Sequence, residues 1–401
     1  MKDSCIREIN IEDFASSLVQ KNGGRRTPLS GTLEPTFRCN NRCVHCYVNK
    51  DIDDNKERER ELAYTEITRI LDDLAEAGCL SLLLTGGEPL VREDFADIYL
   101  YAKKKGFLIT VFTNGTLITP RVADLFKEFP PRSIEITVYG ATERTYENVT
   151  RSPGSYSRCM KGIDLLLGRN LPLKLKTVIT TLNSHEFADI KRFVEELGLE
   201  FRFDALINGR IDGSRDMAPL RIPPREVVQL DLSDPARGPE FVRLYQRTRE
   251  MEVNPKRLFR CGAGMNSFHI DPYGHLMICN MVRTPWYDLG QGSFGEGWNE
   301  FLPRLRQKRF VGESKCQHCR LISFCDQCPG WSQLEHGDLE TPVEYLCRVT
   351  HLRAEAYGIG RAASTVEGQD LIGFSDSHWL LSGSNRLSEP GFFAPPWRSS
   401  E

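Results

Sequence analysis

From about residue 31 to residue 206, short β-rich runs alternate with longer stretches whose apolar positions recur at helical spacing. The candidate strands are Thr32–Phe37, Leu82–Leu84, Leu108–Phe112, Ile134–Val138, Leu173–Thr180 and Glu200–Ala205. Between them, Ile67, Ile70, Leu71 and Leu74 fall on one helical face, with Thr65 as a cap and Gly78 as a stop. Phe95, Ile98, Tyr99 and Ala102 repeat the pattern before Gly106, and Phe187, Ile190, Phe193, Val194 and Leu197 repeat it from Glu186 before Gly198. Six such alternations predict an α/β fold with a parallel sheet, because parallel neighbours need helical crossovers. Right-handed crossovers curl the series into a partial (β/α)6 TIM-like barrel, whose chemistry belongs at the C-terminal ends of the strands.

The pattern then changes. Residues 207–260 read as a bridging region with a short helix near Phe241–Arg249, and residues 261–350 as a cysteine-dense domain rich in Gly, Pro and aromatics. Residues 1–30 form an N-terminal extension. Residues 351–401 add a C-terminal helix and a poorly ordered tail, docked by Phe392, Phe393 and Trp397. The run Asp51–Glu61 has nine charges in eleven residues and reads as a solvated loop.

Composition narrows the chemistry. The chain has 13 cysteines, an odd number, in 401 residues, so a fully paired disulfide scaffold is excluded. The first residues lack a secretory signal, and no run reaches the roughly 18 apolar residues of a membrane span. The expectation is a reducing cytoplasm, where clustered cysteines bind metal or do redox chemistry. A net charge of −3 gives no global field for nucleic acid or anionic lipid.

Three cysteines, Cys39, Cys43 and Cys46, follow the first strand within eight residues. Structural zinc takes four ligands, and no fourth completes this set. Three thiolates around a four-iron cluster leave one iron open, as a catalytic metal site requires. This Cys-x3-Cys-x2-Cys spacing resembles the signature of the radical S-adenosylmethionine superfamily. The resemblance implies that the open iron binds S-adenosylmethionine. One-electron cleavage would then yield methionine and a 5′-deoxyadenosyl radical, which abstracts a substrate hydrogen. His45 stands where relatives place an aromatic near the adenine. Gly86-Gly87-Glu88-Pro89 resembles the family's GGEP motif for the methionine amino group, and its glycines would let the backbone approach a ligand closely. The resemblance further implies cofactor contacts from Asn114, Thr137 (a ribose-binding position), Arg151 near the carboxylate, and Asn183. Tyr139 departs from the common Asp.

The second cysteine set is Cys261-x12-Gly274-x4-Cys279, then Cys316-x2-Cys319-x5-Cys325-x2-Cys328, then Cys347. A zinc ribbon over residues 316–328 competes as a reading but leaves three thiols unused. The set resembles the SPASM domain, which implies two auxiliary four-iron clusters and three [4Fe-4S] clusters in all. By that resemblance Cys316, Cys319, Cys325 and Cys347 hold the outer cluster, and Cys261, Cys279 and Cys328 the inner one. The spacing before Cys328 is one residue short, and Ser267 replaces a further cysteine, with His269 a substitute ligand. Cys5, Cys79 and Cys159 remain as inert core or surface residues.

Relatives with this domain mostly modify peptides. Asn280 stands where sulfatase maturases carry a catalytic Asp and cannot accept a proton at neutral pH. Only 38 residues precede Cys39, fewer than a peptide-recognition domain needs, so recognition is expected from a separate protein or the barrel rim. Tyr139, Asp204, Arg210 and Asp271 are candidate polar groups near the substrate, and flavodoxin or ferredoxin a candidate electron donor. The expected function is modification of a ribosomally made peptide. Oxidation of a small alcohol or sugar, and a non-catalytic iron–sulfur or zinc protein, are the alternatives.

Overall fold

The structure, a computed structural model, describes residues 26–359 apart from 49, 236, 249–253 and 255. Cys5, Phe392, Phe393, Trp397 and Arg249 lie outside the described residues.

One nine-stranded sheet organises the chain. Its strands are β1 (Ser30–Thr36), β4 (Ser81–Gly86), β5 (Leu108–Thr113), β6 (Ser133–Thr137), β7 (Leu173–Val178), β8 (Phe201–Asp204), β9 (Ser267–Ile270), β10 (His275–Met277) and β11 (Tyr287–Asp288), with β2 (Arg38–Cys39) and β3 (Lys50–Asp51) paired separately. The spatial order is β11-β10-β9-β1-β4-β5-β6-β7-β8. From β9 to β8 every pair is parallel, so the six strands read from the alternating pattern form a partial barrel in sequence order.

Alternation along the strands sorts the side chains. Leu33, Leu82, Leu84, Ile109, Val111, Ile134, Ile136 and Leu175 are buried in one core cluster with Ile67, Ile70, Leu71 and Leu74 of helix Tyr64–Glu76. Each such side chain contributes roughly 2 kcal/mol of apolar burial. The opposite, inward positions carry Thr32, Glu34, Thr85, Thr137, Lys176 and Asp204. Leu83, Phe112 and Val178 share that side, so a mixed polar and apolar barrel interior is built by the same period that builds the core.

Several sequence expectations change. Helix Tyr64–Glu76 starts before Thr65, and Glu66 Oε2 accepts the Ala63 N–H at 2.7 Å in its place. The bridging-region helix runs Arg237–Thr248, the expected C-terminal helix begins earlier and runs Glu344–Ala356, and helices Pro120–Glu128, Glu143–Thr150, Ser155–Leu167 and Pro224–Ser233 were not singled out by the pattern. The charged run is not a solvated loop throughout: Asn55–Arg60 is helical, and the Glu57 and Glu61 side chains are buried. Glu61 pairs with Arg38 at 2.8 Å and Arg92 at 3.6 Å, because this run packs over the strand that leads to the first cysteines. Most consequentially, the cysteine-rich part is not separate from the barrel. It supplies β9, which pairs with β1 from Ser30↔Ser267 to Leu33↔Ile270.

Candidate functional site

The loop carrying Cys39, Cys43 and Cys46 is held from two sides. Arg42 N and Val44 N donate to Thr150 O and Val149 O, both at 2.9 Å, at the end of helix Glu143–Thr150. Arg210 donates from Nη1 to Cys46 O at 3.0 Å and from Nη2 to Val44 O at 3.3 Å, while its Nε meets Asp216 at 2.7 Å. Arg210, a candidate substrate group in the sequence, is thus committed to the cysteine loop and positions it. Burial pushes the Cys39 thiol up to about 12, with Glu88 adding to the effect, and raises Cys43 well above its ordinary value. A metal centre that bound them would have to displace these protons.

Gly86 and Gly87 serve the chain's own packing. A Cβ on Gly86 would stand 2.2 Å from Thr36 O, and one on Gly87 would stand 2.4 Å from both Phe37 O and Arg38 O. Gly86 also has φ +121°, which favours glycine. The close approach joins this loop to the end of β1, where Gly87 N donates to Thr36 O and Glu88 N to Arg38 O, each at 2.9 Å. Glu88 is fully buried and accepts from Asn114 N at 2.6 Å, Thr113 Oγ1 at 2.8 Å and Leu90 N at 3.1 Å. Burial lifts its carboxyl to about 7. Pro89 opens the short 3-10 turn that follows.

These loops surround a cavity of about 570 Å³ at the C-terminal end of the barrel. Its wall includes Cys39, Cys43 and Cys46, Gly86 and Gly87, Asn114, Thr137, Tyr139 and Asp204, and also Ser267, His269, Cys279 and Asn280 from the cysteine-rich part. Asp204 keeps accessible surface because that surface faces the cavity; protein around it still raises its pKa through burial. Lys176 Nζ lies 3.1 Å from Glu135 Oε2, and burial lowers it to about 8. Tyr139 is raised well above its ordinary value by burial and then by the neighbouring thiols.

Two features of this cavity wall were missed by sequence reasoning. Glu34, fully buried, accepts from the Tyr47 hydroxyl at 2.6 Å and lies 2.9 Å from His269 Nε2. His269 therefore presents Nε2 to the barrel carboxylate. Asn41 is 3% exposed, lines the cavity, and has no partner for either Oδ1 or Nδ2. A signal for Glu34 existed: Thr32, Glu34 and Thr36 put polar residues at every second place of a strand that is otherwise apolar.

The remaining candidates separate by position. His45 lines the cavity with an unpartnered, buried Nδ1, its ring 5.0 Å from that of Tyr139. Burial, and then Arg210, lowers it to about 4, so it is a neutral ring at physiological pH. Asn114 Nδ2 donates to Asn40 Oδ1 at 2.8 Å and approaches Cys39 Sγ at 3.7 Å. Asn183 is not a cavity residue: its Nδ2 donates to Tyr139 O and Val178 O, both at 3.0 Å, and its Oδ1 accepts from Thr180 N at 2.7 Å. Its amide is spent on tying β6 to β7. Arg151 is exposed at a left-handed helix end (φ 53°), one residue past the carbonyl that holds Arg42. Asp271 shapes the turn after β9, with His275 Nδ1 at 3.0 Å and Arg283 at 3.4 Å.

The other cysteines form two groups. Cys316, Cys319, Cys325 and Cys347 line a separate cavity of about 240 Å³. The Cys325 thiol accepts from Thr350 Oγ1 at 3.2 Å and Gln327 N at 3.4 Å. Cys328 is absent from that wall. Burial pushes it up to about 12, and its charged neighbours are Cys279 and Cys261. Cys79 and Cys159 are buried in the main core. Among the described residues no three Cys, His, Asp or Glu side chains converge as a single metal ion requires.

Residues 33–197 match the family described as the radical SAM superfamily. These residues are a radical SAM domain. Over a longer span the chain is 24% identical to an AdoMet-dependent heme synthase of Methanosarcina barkeri, covering 76% of this chain and 92% of the relative. It is 23% identical to the antilisterial bacteriocin subtilosin biosynthesis protein AlbA of Bacillus subtilis, covering 75% and 67%. Its fold is similar to that of Streptococcus suis SuiB bound to the precursor peptide SuiA, with a TM-score of 0.60, 15% identity and coverage of 86% and 84%. The radical SAM domain implies S-adenosylmethionine and one [4Fe-4S] cluster. The residues present fit both: three part-buried thiols stand at one rim of the cavity, and Asn41 and His45 bring orphaned polar atoms to it. Among the described residues no helix is long and apolar enough to cross a membrane.

Proposed function

We propose that the chain is a SPASM-type radical SAM enzyme that modifies a ribosomally made peptide. The observation that carries this reading is the shared cavity, whose wall holds Cys39, Cys43 and Cys46 on one side and Cys279 of the C-terminal thiol groups on another. S-adenosylmethionine on a four-iron cluster supplies one-electron cleavage and hydrogen-atom abstraction. In this reading Cys39, Cys43 and Cys46 hold that cluster, and Gly86, Gly87, Glu88 and Pro89 keep the adjoining rim rigid. Asn41, His45, Asn114 and Thr137 contact the cofactor, and Arg151 and Asn183 support them from behind.

Cys316, Cys319, Cys325 and Cys347 hold an outer auxiliary cluster, and Cys261, Cys279 and Cys328 an inner one. A four-iron cluster spreads its thiolates more widely than one zinc ion, which agrees with thiols that gather without converging. Tyr139, Asp204, Lys176 and His269 then face the substrate. A cavity of this size takes a drug-sized cofactor and part of a larger substrate. That suits a peptide presenting one side chain, as do the peptide-directed relative AlbA and the peptide-bound SuiB.

Oxidation of a small molecule is the second reading, favoured by the span of the match to the heme synthase. Anaerobic purification should return about twelve iron and twelve sulfide per chain. With dithionite and S-adenosylmethionine it should release 5′-deoxyadenosine, and Cys43→Ala should abolish that product. A colourless zinc protein, or 5′-deoxyadenosine from Cys43→Ala, would refute the assignment. Mass spectrometry of candidate peptides encoded beside the gene separates the two substrate classes.

A further inference from the structure

The chain as a whole is slightly acidic, yet one cleft is strongly basic. About 370 Å³ in volume, it is lined by Asn254, Arg257, Arg306, Gln307, Lys308 and Arg309, with no carboxylate in its wall among the described residues. Arg257 and Arg309 come together through an antiparallel backbone bridge, and Phe310 N donates to Lys256 O at 3.1 Å, which brings a fifth cation to the rim. Arg304 nearby is neutralised by Glu300 at 3.5 Å. Among the described residues, Arg257, Lys308 and Arg309 have no carboxylate within ion-pair distance. Their charge faces solvent.

The floor of this cleft leads to the thiols. Arg306 Nη1 donates to Cys261 O at 3.0 Å and also reaches Ala263 O, so the basic wall is fastened to the backbone of Cys261. Cys261 is exposed, unlike the other described cysteines. Cys279 and Cys328 both have Cys261 among their electrostatic neighbours, and Cys279 lines the 570 Å³ cavity with Cys39, Cys43 and Cys46. A basic cleft thus adjoins the exposed Cys261 through Arg306, on the side from which the thiols lead towards the cavity.

We propose that this cleft docks an acidic one-electron donor protein of the flavodoxin class, delivering its electron at Cys261. Opposite surface charge raises association rates about 10- to 1,000-fold and makes them sensitive to salt. The transfer balances simply. A flavin hydroquinone loses one electron and becomes the semiquinone, and the iron–sulfur centre held by Cys261, Cys279 and Cys328 gains it, with no bond made or broken. The proposal rests on the assignment of that centre under Proposed function; the location and charge of the docking surface are additional to it.

The test uses the holoenzyme and a bacterial flavodoxin hydroquinone in anaerobic stopped flow, following flavin oxidation and cluster bleaching. The variant combines Arg257→Glu, Lys308→Glu and Arg309→Glu; Arg306 is left intact because it holds Cys261. At low salt the second-order rate constant should fall at least about tenfold. Reduction by dithionite, which needs no docking, should be unchanged, and Lys103→Glu with Lys104→Glu should leave both rates as they are. Binding of oxidised flavodoxin to each protein, read by fluorescence titration, should weaken in parallel.

A parental flavodoxin rate in the triple variant, or a rate independent of salt in the parent, would overturn the docking surface. Loss of binding to single-stranded RNA without any change in flavodoxin kinetics would also overturn it. Iron analysis of the same samples tests the centre separately. If Cys261→Ala keeps all its iron while the charge reversal still weakens flavodoxin binding, the surface stands and the ligand assignment fails.

Discussion

Substituting Gly87 by Ala distinguishes two uses of the Gly-Gly pair: approach to a ligand, or approach to the protein's own backbone. The added Cβ would meet Phe37 O and Arg38 O at 2.4 Å. A relaxed carbon–oxygen contact is roughly 3.3 Å, so the loop must retreat by about 1 Å. Both neighbours are backbone atoms and cannot rotate away. The retreat stretches the Gly87–Thr36 and Glu88–Arg38 hydrogen bonds, each worth about 1 kcal/mol. It also draws Glu88 from the three donors that satisfy its buried carboxylate. The expected loss is about 2–4 kcal/mol. Thermal unfolding of the anaerobic holoenzyme at one scan rate should show a midpoint several degrees lower. Iron per chain should fall as well, since Arg38 leads directly to Cys39. Calorimetric titration with S-adenosylmethionine should weaken along with these. The reasoning fails if Gly87→Ala keeps the parental midpoint and iron content and loses only cofactor affinity, for then the space belongs to the ligand.

Further outcomes follow from the same geometry. Arg210→Met removes the donors to Cys46 O and Val44 O; iron retained after desalting should drop while the far-ultraviolet spectrum stays unchanged, and full retention would deny Arg210 its positioning role. Glu34→Ala leaves the Tyr47 hydroxyl and His269 without their shared acceptor, which should cost about 3–5 kcal/mol in denaturant unfolding, with Glu34→Gln losing less. An unchanged midpoint in the alanine variant would mean the cluster contributes nothing. Burial lowers Lys176 from 10.5 to about 8, so between those pH values the unfolded chain holds the extra proton and stability rises with pH. The rise should reach about 3 kcal/mol, and Lys176→Met should abolish it; a slope retained in that variant would assign it to another group.

The barrel was legible because its strands and helices have different periods. The buried faces of Tyr64–Glu76, Phe95–Lys104 and Phe187–Glu196 are the ones their spacing indicates. Helices Glu143–Thr150 and Ser155–Leu167 were less visible because polar Thr145, Thr150 and Ser155 are buried among their apolar residues. The cysteine motifs were legible because the cysteines cluster in sequence. The roles of Arg210 and Asn183 were not, since being near a site does not reveal which hydrogen bonds a side chain has already made. Asn41 was hidden between two cysteines, and the Glu34–His269 contact spans 235 positions that no local pattern connects.

That long separation has a consequence for how the protein is made. Strand β1 is internal to the sheet, with β4 on one side and β9 on the other. On the ribosome, β4 emerges about fifty residues after β1, but β9 only after some 230. For most of synthesis the nascent barrel therefore presents β1 as an open parallel edge, with Glu34 lacking its histidine. Open edges recruit other strands. A gene shortened to residues 31–206 would make that transient state permanent, so the isolated barrel should aggregate where the full chain stays monodisperse. The cysteine-rich part is, in this sense, the barrel's own intramolecular chaperone.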